Sequence, residues 1–162
     1  MEFNFYSIKS KGIIFKSYEV FKGEHLVYRV KGSLFLRKYL IFDQHGLELM
    51  QIKRSISLLS MNFKITRFEN YIAEITKVAS IFSNNLNIES INGTYFAEGN
   101  FRANDFTIFK DDIEIAKISR HGIFADKKYG LAILDSEDQL LIISIVMTIE
   151  MILRVKNARK GG

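Results

Sequence analysis

The sequence predicts a β-rich α+β fold, a closed antiparallel barrel of about twelve strands around a central hydrophobic C-terminal helix. Before residue 135, short segments alternate apolar and polar residues and are separated by Gly, Asn and Asp. Residues 140–153 are then apolar on every face, whereas a surface helix shows only an apolar stripe. A helix that must be buried on all sides, following so many strands, indicates a sheet that closes around it.

The length of 162 residues predicts one domain over residues 1–162. Strands are expected over about residues 3–134, the central helix over about 136–156, and a basic tail over 157–162. Apolar residues make up 48% of the chain and 14 residues are Phe, which excludes a disordered protein on composition.

The strands are predicted mainly by a repeat of hairpins, each with a strand, a polar turn and a second strand. Residues 18–31, 39–53, 63–76 and 106–119 are clear copies, and residues 86–100 are a looser copy. Further strands are expected at residues 3–8, 12–16 and 129–134. Around residues 47–52 the alternation slips by one residue, which predicts a β-bulge. Proline is absent, so Gly, Asn and Asp must form the turns, including Asp111-Asp112.

The C-terminal helix is predicted by its ends as well as by its composition. Ser136 and Gln139 have the spacing of a capping box, and acidic residues precede the apolar stretch. A transmembrane helix is the alternative, but the apolar stretch is shorter than the ~18 to 20 residues that cross a bilayer and contains Glu150. Ser144 and Thr148 are expected to bond back to helix carbonyls, and Glu150 requires solvent or a partner.

The residue types that usually carry catalysis or bind metals form no recognisable constellation. Cysteine is absent, and none of His25, His45 and His121 stands at metal-ligand spacing from another. Asp135, Glu137 and Asp138 are expected to cap the helix, the alternative being a cation site. We therefore expect no enzyme activity, no metal and no cofactor.

Basic residues at strand ends are the best candidates for ligand contact. In each clear hairpin copy the second strand ends on an aliphatic residue that is followed within two places by a cation. If the aliphatic residues Val30, Ile52, Ile75 and Ile118 point inward, then Lys31, Lys53 and Ser119 point outward, and Arg54, Lys77 and Arg120 lie at the following turns. We expect weak binding of an anionic ligand at Lys53, Arg54, Lys77 and Arg120 if they share one rim. The alternative is that they only keep the barrel soluble.

The order of these parts resembles the LURP-one-related family, whose fold is shared with the tubby C-terminal domain and the phospholipid scramblases. The resemblance covers about residues 5–155 and is carried by YRVKG (28–32), YLIFD (39–43), LMQIK (49–53), AEGNF (97–101), IAKIS (115–119) and, most specifically, DSEDQLLI (135–142). It implies a twelve-stranded barrel threaded by the C-terminal helix. In tubby-like domains surface Lys and Arg bind phosphoinositide head groups. The chain departs from scramblases in having no cysteines for acylation and no acidic calcium loop before the helix.

The function expected from these observations is a non-enzymatic binding module for anionic phospholipid or another phosphate-bearing ligand. The alternative is a structural or protein-interaction domain that uses exposed aromatics and sheet edges. The net charge of +5 suits an anionic membrane surface or a phosphoinositide-like head group, and the cations are too scattered for specific nucleic-acid binding. With no signal peptide at the N-terminus, a cytoplasmic protein, peripheral at the membrane if it binds lipid, is expected.

Overall fold

A computed structural model describes residues 1–12, 16–33, 35–57, 60–78, 85–100, 105–119 and 129–160, with the backbone alone for 56, 78 and 157–160. Arg120 and His121, and most of the strand expected at residues 12–16, lie outside these ranges. The elements are β1 Phe3–Lys11, β2 Ser17–Lys22, β3 His25–Gly32, β4 Lys38–Asp43, β5 Glu48–Ile56, β6 Ser60–Arg67, β7 Asn70–Val78, β8 Leu86–Ser90, β9 Gly93–Asn100, β10 Asp105–Lys110, β11 Ile113–Ser119, β12 Tyr129–Leu134 and α1 Gln139–Lys160.

The twelve strands form one closed antiparallel barrel, which confirms the predicted fold class. Each strand pairs with its neighbours in sequence, and β1 also pairs with β12, where Phe3 lies opposite Leu134. Closure leaves every described strand with a partner on both sides. The expectation that a partner protein would use open sheet edges is therefore wrong, because a closed barrel has none.

All five predicted hairpins are present, and four of them share one irregularity. The register slips by one residue in the β2–β3, β4–β5, β6–β7 and β10–β11 hairpins, each time close to the turn. The slip in β4–β5 confirms the bulge predicted near residue 49. The β8–β9 hairpin, the looser copy, pairs without a slip. Bulges bend and twist a strand, so their repetition at one level helps the sheet to curl around the helix.

The helix α1 fills the barrel, and its residues 141–153 are buried on every face. The inward faces of the strands supply the other half of the core, including Val30, Ile52, Ile75 and Ile118, whose inward orientation was predicted. No helix in the described part of the chain has the length and apolarity needed to cross a membrane. The apolar stretch of α1 is buried against the barrel wall.

The helix begins three residues later than predicted, and its cap differs. Asp138, not Ser136, is the capping residue, because its carboxylate accepts a hydrogen bond from the amide of Leu141 at 3.0 Å. Ser136 is exposed, and the Gln139 side chain donates to the carbonyl oxygens of Leu134 and Glu137. Asp138 also pairs with Arg67 at 3.3 Å. The cap thus joins the helix to the wall of the barrel.

Three polar side chains lie inside the apolar helix. The hydroxyls of Ser144 and Thr148 donate to the carbonyl oxygens four residues earlier, as predicted. Glu150 is buried and accepts hydrogen bonds from the hydroxyls of Tyr18, at 2.8 Å, and Tyr129. Its partners are tyrosines of the wall, so the carboxylate does not need to reach the barrel mouth.

Candidate functional site

Three lysines form a row across the outside of the barrel. Lys38 of β4 lies opposite Lys53 of β5, and Lys53 lies opposite Lys64 of β6. Residues directly opposite one another in a sheet have Cβ atoms about 4.5–5.5 Å apart. Lys53 and Lys64 are exposed and Lys38 is half-buried. We call these three residues the lysine row.

The lysine row has no acid beside it along its own strands. The outward residues two places away from Lys53 and Lys64 are neutral: Gln51, Ser55, Asn62 and Thr66. Glu74 of β7 lies opposite Lys64 and ends the row. On the other side, the exposed Arg29 and Lys31 of β3 extend the positive surface, with the Lys31 ammonium 5.3 Å from the Phe42 ring centroid. Like charges directly opposite each other destabilise a sheet, so folding alone does not favour this arrangement.

The four residues predicted to bind an anion do not share one surface. Lys53 lies outside, in the lysine row, as predicted. Arg54 and Lys77 were expected in turns, which is wrong: β5 and β7 continue past them, so both lie in strands. Arg54 follows an outward residue and Lys77 is two places from buried Ile75, so alternation turns both toward the interior, where Lys77 is 5% exposed. Arg120 lies outside the described residues.

A second group of cations surrounds the point where α1 ends, which we call the lower end of the barrel; the upper end is where α1 begins. Arg54 and Lys77 lie on the inward faces of β5 and β7, on either side of β6. From the helix, Arg154 donates to the Tyr39 hydroxyl at 3.3 Å. Burial, and then repulsion by Lys156, lowers the pKa of Lys77. Cations near a helix C-terminus offset the negative end of its dipole, which gives this group a structural role.

The depressed pKa of Lys77 makes a prediction about stability. The folded protein binds this proton less firmly than the unfolded chain, so unfolding becomes less favourable as pH rises and Lys77 loses its charge. Lys77→Met should therefore raise the unfolding free energy at pH 7 by about 1 kcal/mol, from the repulsion it removes. The gain should shrink as pH approaches 10. Denaturant titrations at several pH values measure it.

Lys117→Met is the control for Lys77→Met because Lys117 is an exposed lysine in the middle of a strand. It should change neither the stability at pH 7 nor its dependence on pH beyond about 0.5 kcal/mol. A loss of stability in Lys77→Met at pH 7 would contradict the prediction. It would mean that the contacts of the charged side chain outweigh its desolvation and its repulsion by Lys156.

Sequence reasoning missed Lys38 and Lys64. Both are ordinary isolated lysines in the sequence, and they become neighbours of Lys53 only through the pairing register of β4, β5 and β6. The hairpin repeat carried a usable signal, because Lys38 and Lys53 stand at mirrored places around the β4–β5 turn. The bulge shifts that register by one residue, so counting from the turn alone would have misplaced the pair.

The architecture defines the class: a closed β-barrel built around a central helix, consistent with a binding module. The chain belongs to the LURP-one-related family, whose family model matches residues 5–150. A solved X-ray structure of a protein from Arabidopsis thaliana has the same fold, with a TM-score of 0.63 and 13% sequence identity over 96% of this chain and 91% of that one. No curated protein matches the chain. At this identity the likeness to the plant protein concerns the fold alone.

Proposed function

We propose that this protein is a non-catalytic module that attaches to anionic phospholipid at the cytoplasmic face of a membrane through the lysine row. The observation that carries the proposal is the run of three lysines directly opposite one another on the barrel wall. Repulsion among these lysines destabilises the sheet, and a bound anionic ligand offsets that repulsion. Phosphate-bearing head groups do so at about 1 kcal/mol per nearby cation.

The geometry favours a surface ligand over a small molecule held in a pocket. The lysine row lies on the outer face of β4, β5 and β6, where side chains project away from the barrel. Arg29 and Lys31 widen the positive area by one strand. Several lysines on the outer face of the barrel can contact several head groups of a planar anionic surface at the same time. Absence of catalysis is part of the proposal.

Co-sedimentation with vesicles tests the proposal. The protein should bind vesicles that contain phosphatidylserine, and binding should weaken as salt rises, because salt screens charges near a surface. Neutral phosphatidylcholine vesicles should not bind it. The variant Lys53→Gln with Lys64→Gln removes two cations, or about 2 kcal/mol, so partitioning onto anionic vesicles should fall by roughly 30-fold.

The matched control is Lys9→Gln with Lys117→Gln, which removes the same charge from lysines on other strands. It should reduce binding by less than about threefold through the change in net charge alone. Equal losses in the two double variants would assign binding to overall charge and contradict the role of the lysine row. No binding of the unaltered protein to anionic vesicles would overturn the proposed function.

A further inference from the structure

The upper end of the barrel carries exposed apolar residues at the tips of successive hairpins. Leu47, Phe68, Ile91 and Ile113 lie in or directly beside the turns of four different hairpins, with exposed fractions of 55%, 59%, 63% and 54%. Phe68 also has a φ of 48°, a left-handed conformation that is unfavourable for a bulky residue. The turns themselves do not require apolar side chains at these positions, since polar residues and glycine are preferred in hairpin turns.

A groove of about 450 Å³ runs along the outer face of β9 and β10 toward this end. Phe96 and Phe109 line it and lie directly opposite each other in the sheet. Both rings are half-buried, so each keeps part of its surface open to the groove. The volume is within the range of ordinary ligand sites, and a pair of aromatic rings offers a surface that excludes water from whatever packs on it.

The rim of the groove selects the charge of its occupant. Glu98, Asp111 and Asp112 line it, and none of them takes part in the ion pairs found among the described residues. The strand cation Lys110 lies over the ring of Tyr95, which lines the groove, but its ammonium pairs with Glu137. Lys117 lines an adjoining groove with Glu98. Aromatic rings attract cations through their negative faces, so rings and carboxylates favour the same ligand. An organic cation is such a ligand, because it can pack on the two rings while its charge meets the carboxylates.

We propose that this groove and the two isoleucines beside it form a docking surface for a protein partner that presents a basic, apolar segment. An arginine or lysine side chain enters between Phe96 and Phe109 and meets the carboxylates. Aliphatic side chains of the same segment cover Ile91, in the turn between β8 and β9, and Ile113, the first residue of β11. In the order of strands around the barrel, β7 and β8 lie between this groove and β4–β6, so this surface is separate from the lysine row.

The probe is an acetylated, amidated hexapeptide of alternating arginine and leucine, titrated into ¹⁵N-labelled protein. We expect saturable shifts of the amides of residues 94–98 and 109–113. The same peptide with citrulline in place of arginine keeps shape and hydrogen bonding but loses the charge, and should bind at least tenfold more weakly. A citrulline peptide that binds as well as the arginine peptide would overturn the proposal.

The matching variant is Glu98→Gln, Asp111→Asn and Asp112→Asn, which should lower affinity for the arginine peptide at least tenfold. It should fold normally, because asparagine accepts the positive φ of residues 111 and 112. The control Glu24→Gln, Glu48→Gln and Glu69→Gln removes three exposed acids that lie in or directly beside other turns of the same end and should lower affinity less than threefold. Equal losses in both variants would reduce the effect to general charge attraction and overturn the site.

Two further results would contradict the docking surface. One is the absence of any saturable shift at millimolar peptide. The other is that the unaltered protein binds neutral vesicles but not the peptide, and that the variant Ile91→Ser with Ile113→Ser no longer binds the vesicles. That result would assign the apolar tips to a bilayer. Neither result depends on whether the lysine row binds anionic lipid.

Discussion

Glu150→Leu is expected to lower the unfolding free energy by about 3 kcal/mol, or a melting temperature by about 10 °C at this size. The leucine fills most of the volume but removes the acceptor that the hydroxyls of Tyr18 and Tyr129 share. Burial, and then the charge of Glu150, raises the pKa of Tyr18, so its hydroxyl stays protonated and remains a donor. Leaving buried donors poorly satisfied costs about 1–3 kcal/mol each. Thermal and denaturant unfolding measure the loss.

Two companion variants separate this hydrogen-bond effect from a packing effect. Adding Tyr18→Phe and Tyr129→Phe to Glu150→Leu removes donors and acceptor together and should recover at least 1 kcal/mol. Thr148→Val changes another buried polar residue of α1, whose hydroxyl donates to the Ser144 carbonyl oxygen within the helix, and should cost less than about 1 kcal/mol. If the triple variant were less stable than Glu150→Leu alone, packing of the tyrosines and not the network would explain the loss.

Gly99→Ala is expected to destabilise the barrel by about 3 kcal/mol, at the upper end of the range for overpacking. A Cβ atom at Gly99 would overlap the carbonyl oxygen of Asp105 and lie 2.8 Å from the Cα of Phe106. Both atoms belong to the backbone of β10, which pairs with β9 at this position, so no side chain can rotate away. The strands themselves would have to separate. Soluble yield and denaturant unfolding measure the effect.

Gly130→Ala is the control because Gly130 is also a strand glycine, and its added Cβ would meet the carbonyl oxygen of Ser119 at an ordinary 3.7 Å and no other atom of the described residues within 4 Å. This variant should change stability by less than about 1 kcal/mol. Similar losses in both variants would mean that glycine is required for strand flexibility, not for the close approach of β9 and β10. A Gly99→Ala protein as stable as the original would contradict that close approach.

The sequence predicted the barrel well because its dominant signals are local. Each hairpin has its own alternation and its own turn, and strand pairing follows chain order almost everywhere. The burial of α1 follows from its apolar composition alone. Its exact start did not follow, because Ser136, Asp135 and Asp138 are all good capping residues and the choice depends on contacts with the wall. Arg67 pairs with Asp138, and that long-range contact is invisible in the sequence.

The candidate site was predicted less well, for two physical reasons. Arg54 and Lys77 were assigned to turns because a basic residue after an aliphatic one is a plausible strand end, but backbone pairing continues to Ile56 and Val78. Successive side chains of a strand lie on opposite faces of the sheet, so each residue by which a strand is extended changes the face. The lysine row in turn depends on three registers, one of them shifted by a bulge. Only Lys53 was predicted both as a candidate and on the outer face.

Because β1 pairs with β12, the barrel can close only after the last strand has been synthesised. During synthesis the hairpins emerge in order, and each strand finds its predecessor at once, which favours rapid local folding. The first strand must wait for the last one, and α1 follows β12. A ring that closed early would exclude the helix that fills it. Until β12 and α1 have been synthesised, the earlier strands can form at most an open sheet whose apolar inner face lacks the helix that covers it, and exposed apolar surface of this kind favours aggregation.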